Sequence, residues 1–334
     1  MNGAALHTQL QSVLSPAGQA AEQVAGLSWI LIGGAALIFI GVMGLLVWSL
    51  RQRASGQSGQ SGQSGQSGQS GQAHRVVSKR LWLLGGGVVF PTVVLLALIV
   101  WSTARTPGWL AQPPPGALIV GITAHQWWWE MRVRDPATGQ EVTWANELHL
   151  PTGRPVWLGL SSRDVIHSFW VPALAGKMDV VPGRINHLLV QADQSGVYRG
   201  QCAEFCGEQH ARMALHVVAE PPAAFDAWLA AQARPAEPPS NALTARGQQI
   251  FLAQRCNACH TVRGVAEEGR LGPDLTHVGS RLYLGAGTLA NQPGQLAYWI
   301  AHTQTIKPGA RMPSSNDIDS ASLQALGAWL ESLK

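Results

Sequence analysis

The chain has 334 residues, 46% of them hydrophobic and only 13% charged, with a net charge of +4. That length allows two or three domains, and the apolar balance argues against a disordered chain. The positive excess gives no support for nucleic-acid binding: Arg51, Arg53, Arg75, Lys79 and Arg80, clustered in one short stretch, already exceed it.

Residues 1–28 contain neither Lys nor Arg, so they lack the basic start of a signal peptide. Two apolar runs follow, Trp29 to Trp48 and Trp82 to Trp101, each free of His, Asp, Glu, Lys and Arg. About 20 residues of helix at roughly 1.5 Å each span the roughly 30 Å hydrocarbon core of a bilayer. A tryptophan at each end suits the membrane interface. Residues 29–101 are therefore expected to form a transmembrane helical hairpin. The basic cluster between the runs puts their connection in the cytoplasm and both termini outside. Within that connection, residues 55–72 repeat Ser-Gly-Gln without interruption. Such a tract has nothing to bury and reads as a flexible linker.

Thr106-Pro107-Gly108 and Pro113-Pro114-Pro115-Gly116 mark a stiff exit from the second run. Short apolar, β-branched stretches then alternate with Pro and Gly, as in Ala117-Leu118-Ile119-Val120, Pro155-Val156-Trp157-Leu158, His187-Leu188-Leu189-Val190 and Leu215-His216-Val217-Val218. The pattern predicts an antiparallel β-sandwich or barrel. Pro235-Ala236-Glu237-Pro238-Pro239 closes it, within a Pro-rich linker expected over 223–241. Residues 242–334 read as helical, ending in an amphipathic helix with Leu323, Leu326, Leu330 and Leu333 on one face.

The chemistry concentrates in two places. Cys202, Cys206, His210 and Met213 fall within one short segment, and His167 lies upstream. Thiolate, imidazole and thioether donors favour copper, with zinc as the rival metal. The same spacings would also line a buried helix face, but Gly207 and the polar Glu208-Gln209 argue against that. The second place is Cys256-Asn257-Ala258-Cys259-His260, a haem c attachment signature. There Cys256 and Cys259 would form thioethers and His260 would ligate iron, with Met312 the leading sixth ligand and His277 and His302 the alternatives. These two motifs use all four cysteines, which leaves none for a disulfide.

With both motifs in view, the chain resembles subunit II of a haem-copper oxidase of the caa3 type. The resemblance implies a multi-domain fold: a two-helix transmembrane hairpin, an all-β cupredoxin-like sandwich at 117–222 and an all-α class I cytochrome c domain. In that family a binuclear copper centre, CuA, is held by two cysteines, two histidines, a methionine and a backbone carbonyl. Residue by residue these fall on Cys202, Cys206, His167, His210, Met213 and the carbonyl of Glu204. The resemblance further implies a magnesium near the Glu204 carboxylate, electron entry to CuA at Trp127 within His125-Gln126-Trp127-Trp128-Trp129-Glu130, and a face toward subunit I at 177–184. Packing of the tryptophans in the sandwich is the plain alternative for Trp127. It implies a bacterial plasma-membrane location with the redox domains on the outer side. Implied partners are the catalytic subunit I, subunit III, membrane lipid, and cytochrome c or another external donor; nucleic acid is not among them.

The function this implies is electron input to a terminal respiratory oxidase: donor to haem c, to CuA, to the haem of subunit I, for reduction of oxygen to water with proton pumping. The helical runs lack histidine, so oxygen chemistry must sit on a partner subunit. A CuA-bearing nitric oxide reductase subunit and a membrane-anchored copper-delivery protein are the rival readings. One departure is local: family members often carry a glutamate just before the second helix, whereas Trp82, Leu83 and Leu84 stand here.

Overall fold

The computed structural model describes residues 8–9, 11–57, 81–105, 112–135 and 139–334. The Ser-Gly-Gln tract beyond 57, Arg75, Lys79, Arg80 and the Thr106-Pro107-Gly108 turn lie outside the described residues. Two compact units emerge, one of Gly26–Leu110 and one of Met1–Ala25 with Ala111–Lys334.

In the first unit, helix α1 (Gln19–Gln57) contributes its length beyond Ala25, and helix α2 (Phe90–Arg105) continues a π-helical stretch, Leu81–Val89. Both are long and apolar enough to cross a membrane. Their large apolar side chains point outward on every side, Leu37 being 74% exposed. A surface so uniformly apolar is stable only in a lipid or protein environment. Helix α1 runs past both ends of the predicted 29–48 span, because Gln19 to Ser28 and Ser49 to Gln57 contain no proline to stop it.

The second unit is built on two sheets. One runs β4 (Glu141–Ala145), β3 (Trp128–Arg134), β2 (Leu118–His125), β6 (Val156–Ser162), β9 (Asn186–Val190). The other runs β5 (Glu147–Pro151), β11 (Ala214–Glu220), β10 (Gly196–Cys202), β7 (His167–Trp170), β8 (Met178–Val180), with β1 (Thr8–Gln9) parallel to β10. Alternation along β2 buries Leu118, Val120, Ile122 and Ala124 while Ile119 stays exposed. Trp129, Met131, Leu158, Leu160, Phe169, Tyr198 and Val217 complete the core between the sheets. Each such aliphatic side chain contributes about 1.5–3 kcal/mol on burial.

The expected sandwich is present, but not wholly antiparallel: β2 pairs β6, and β5 pairs β11, in parallel. Sequence distance explains it, since each pair is joined by a long crossover rather than a hairpin. The segment before α1 is part of this unit. Ala17 N–H donates to Ala173 O at 2.7 Å, Asp193 N–H donates to Ala17 O at 2.8 Å, and a Cβ on Gly18 would lie 2.2 Å from Gln191 O.

The stretch predicted as a Pro-rich linker over 223–241 differs from expectation. Its first half is helix α3 (Pro222–Gln232). Proline at the first helical position needs no N–H partner, and the run Ala223 to Ala231 favours helix. Phe225 and Leu229 are buried against the sandwich, and Trp228 stacks on His149 with ring centroids 3.8 Å apart. Only 233–241 connects onward.

Helix α4 (Ala242–Ala253) starts at an Asn241 capping box, and α6 (Ser320–Ser332) starts at Asp319, whose carboxylate accepts from Ser322 N–H. They cross closely: a Cβ on Gly247 would sit 2.1 Å from Ala325 O. Leu326 and Leu330 of the predicted amphipathic face are buried with Phe251 and Trp329, and Leu323 packs on that cluster. Helix α5 (Gln295–Ile306) and the hairpin β12 (Tyr283–Leu284) with β13 (Leu289–Ala290) complete the domain.

Candidate metal centres

Strand pairing gathers the soft donors. Strands β11, β10 and β7 are neighbours, with Cys202 opposite Phe169 and Gln201 opposite Ala214. Cys202 N–H donates to Met213 O and Ala203 N–H donates to Ser168 O, each at 2.9 Å. The Cys202–Met213 segment is thus a loop with a short 3₁₀ turn at His210–Arg212, not a helix. Gly207, at φ +115°, lets that loop lie on Trp127: a Cβ there would meet the indole at 3.1 Å.

The donor atoms converge at the sheet end. Cys202 Sγ and Cys206 Sγ are 3.7 Å apart; Cys202 Sγ lies 3.9 Å from His167 Nδ1, and Cys206 Sγ 3.6 Å from His210 Nδ1. Met213 Sδ is 3.9 Å from Cys206 Sγ, and Glu204 O is 3.2 Å from Cys202 Sγ. Two donors bound to one metal at about 2.0–2.3 Å with a near-tetrahedral angle stand roughly 3.5 Å apart. The spacing therefore fits metal ligation.

The protonation chemistry agrees. Hydrogen bonds from the Cys206 thiol and His167 hold the Cys202 thiol well below its ordinary pKa. The hydrogen bond Cys206 gives to Cys202, then burial and the Cys202 charge, push Cys206 well above its own. A metal cation at this point would allow both to be thiolate together.

His167 is fully buried, and its Nε2 meets Asp164 Oδ1 at 2.9 Å, leaving Nδ1 for the metal. Asp164 also accepts from Gln126 N–H at 2.7 Å and Val165 N–H at 2.8 Å. Burial opposes the Asp164 charge, but these hydrogen bonds, led by His167, outweigh it and lower the pKa. Gln126 Nε2 and Trp127 Nε1 both donate to Cys206 O, at 2.9 and 3.0 Å. Asp164 and Gln126 were missed in the sequence; only the acid three residues before His167 hinted at the former.

The haem loop is equally defined. Arg255, at φ +56°, leads into a 3₁₀ turn at Cys256–Ala258. His260 Nδ1 donates to Pro273 O at 2.8 Å, which fixes the tautomer and leaves Nε2 free for iron. Gly269 and Gly272 permit this, since a Cβ on either would fall 2.5–2.6 Å from the His260 backbone or ring. Cys256 and Met312 pack on the same cytochrome core. The Met312 loop is organised by Gln304, whose Nε2 donates to Ala310 O and Met312 O at 2.6 Å each. His277 Nε2 is turned to Arg234 O and His302 Nδ1 to Tyr298 O, each at 3.0 Å. These residues fit a covalently attached haem, whose iron His260 would hold.

The two domains meet closely. Leu282 N–H donates to Glu147 Oε2 at 2.8 Å, Ala214 N–H donates to Ala286 O at 3.0 Å, and His216 stacks on Tyr283 at 4.0 Å. Lys307 is 3% exposed and donates to Trp127 O, Arg212 O and Gly285 O at 2.8, 2.9 and 2.8 Å. Burial draws the Lys307 pKa down to about 7, while three carbonyl acceptors call for all three ammonium protons.

A thiol-rich metal pocket on a β-sandwich, a haem loop in the adjoining domain and two membrane-length helices define a membrane-anchored electron-transfer protein. Residues 118–220 match the family described as cytochrome c oxidase subunit II, periplasmic domain, and residues 244–334 match cytochrome c. A cytochrome c oxidase subunit 2 from Alkalihalophilus pseudofirmus is 35% identical over 74% of this chain and 71% of its own length. Another from Bacillus sp. (strain PS3) is 30% identical over 74% of this chain and 72% of its own length. The periplasmic domain of subunit II from Bradyrhizobium japonicum aligns with a TM-score of 0.33 and 27% identity, covering 36% of this chain and 95% of that one.

The chain belongs to the cytochrome c oxidase subunit II family. It is the electron-input subunit of a haem-copper terminal oxidase, carries copper in the sandwich and haem c in the cytochrome domain, and associates with subunit I.

Proposed function

We propose that the copper centre is the binuclear CuA, with Cys202 and Cys206 bridging, and His167, His210, Met213 and the Glu204 carbonyl completing it. The single observation that carries this reading is the pair of thiols 3.7 Å apart, each flanked by its own imidazole Nδ1. With copper bound, Cys202 and Cys206 would hold it as thiolates and the pair would let the centre change charge with little movement of its ligands. When bound, copper and haem supply the one-electron chemistry; the residues fix their separation and keep water away.

In the same reading, Cys256 and Cys259 tether the haem, and His260 and Met312 bind its iron. Trp127 is the contact through which electrons reach CuA, supported by its hydrogen bond to Cys206 O. The domains divide as a tail at 1–28, a hairpin at 29–101, a CuA domain extended by α3 to 232, and a cytochrome domain from 242. The Glu204 carboxylate helps hold magnesium where subunit I docks. The exposed Phe205, Ile166 and Ile185 form part of that face. Subunit III joins the assembly, the donor is cytochrome c or another external carrier, and both termini lie outside the plasma membrane.

The test is metal analysis with electron paramagnetic resonance on the intact, matured protein. Two coppers per haem c, with hyperfine structure from an electron shared by both nuclei, is the expected result. A single mononuclear copper would overturn it.

A further inference from the structure

Among the contacts of the cytochrome domain with the copper loop is a tongue, Lys307-Pro308-Gly309, just ahead of Met312. Lys307 enters a cradle of three carbonyls, two from the copper domain (Trp127 and Arg212) and one from its own domain (Gly285). Arg212 in turn donates through Nη1 to Ile306 O. Gly309, at φ +76°, lies against the copper loop so closely that a Cβ would meet Glu208 Oε2 at 2.6 Å and Trp127 Cη2 at 3.7 Å. Trp127, whose carbonyl Lys307 holds, bonds through its indole to Cys206 O. The tongue, the tryptophan and a cluster cysteine are thus consecutive contacts.

We propose that Lys307 is a positioning residue for electron transfer, an ammonium pin that seats the Met312 side of the cytochrome domain on Trp127. This rests on the CuA and haem ligand assignments given above. All three N–H donors of the ammonium are satisfied. Removing them takes the lysine donor from Trp127 O and Arg212 O on the copper side, while Gly285 O keeps Thr288 Oγ1 at 2.7 Å, and the seated arrangement loses its anchor. In the transfer itself one electron leaves the haem iron and one arrives at the copper centre; Lys307 is chemically unchanged.

The experiment uses the complete oxidase complex with a Lys307→Met variant, which keeps length and removes donors. An electron is injected photochemically at haem c and its arrival at copper is followed optically. With copper content, haem spectrum and both potentials unchanged, transfer should slow by about tenfold or more, the scale of a small misplacement of reacting groups. An unchanged rate would overturn the proposal. A second readout needs no variant: in the native complex, acetic anhydride should modify Lys307 at least about tenfold more slowly than the exposed Lys334. Equal labelling of the two would equally overturn it. Failure of the underlying assignment shows separately, as fewer than two coppers per haem in the native complex.

Discussion

The indole N–H of Trp127 donates to the carbonyl oxygen of Cys206 at 3.0 Å, so the aromatic patch of the sandwich is bonded to the backbone of a cysteine in the proposed copper site. Gln126 shares that acceptor, and Gly207 gives the indole room. The relationship separates contact from mere packing, because a phenyl ring would fill the space without the bond. Trp127→Phe should keep copper loading yet slow reduction of the copper centre by haem c about tenfold, the scale of one hydrogen bond worth roughly 1.4 kcal/mol. Stopped-flow or flash reduction with metal analysis on the same sample checks it.

Asp164 orients His167 from behind, through a 2.9 Å bond to Nε2. Asp164→Asn keeps the shape but removes the charge and frees the imidazole to turn. Copper affinity should fall by roughly 10–100-fold, the range for outer-shell partners of ligating histidines. Competition with a chelator of known strength reads this directly, and an unaltered affinity would refute the role.

The crossing of α4 and α6 leaves no space at Gly247, where a Cβ would press on Ala325 O and on Trp329 Cβ at 2.6 Å. Gly247→Ala should destabilise the cytochrome domain by about 1–3 kcal/mol, despite alanine's better helix propensity. Denaturant titration followed at the haem would show an earlier transition, with the copper spectrum unaffected at that concentration.

His149 sits between Glu147 Oε1 at 3.2 Å and Glu220 Oε1 at 2.9 Å, under the Trp228 ring. Burial works against its charge, but the hydrogen bonds it donates to both carboxylates prevail and raise its pKa. Glu147 moves the other way: burial would raise it, and the bonds from His149 and Leu282 N–H lower it. A raised histidine contributes stability fully below its unfolded value near 6.5 and loses it as pH climbs through the folded value. The lowered Glu147 contributes above its unfolded value and loses it as pH falls through the folded one. Thermal melts should therefore decline on the alkaline side of pH 6.5, and His149→Gln should flatten that limb. A limb of equal slope in the variant would rule His149 out.

The proposed ligands could be picked out of the sequence because most of them are sequence neighbours. Cys202 to Met213 lie in one loop and Cys256 to His260 in another, while His167 is brought to the first by β7 pairing with β10 and Met312 stands apart from the second. The membrane helices and the α6 face were readable from periodicity and length. Helix α3 was hidden because prolines at 221–222 and 235–239 make the whole stretch look like linker, although a proline at a helix start is favourable. Parallel pairing of β2 with β6 carries no local signal. Lys307 was invisible for a similar reason: Lys-Pro-Gly after a helix reads as a solvated turn. Its three acceptors come from residues 127, 212 and 285, which only the tertiary fold assembles.

The connector 233–241 is short, and it makes the donor domain a permanent neighbour of the copper domain. A tether of that size presents its cargo at an effective concentration on the order of millimolar, whatever the abundance of diffusible carriers. The seat around Lys307 then needs little intrinsic affinity to stay filled. Copper reduction in this protein should accordingly be first order and blind to dilution, with any dependence on carrier supply confined to the refilling of haem c.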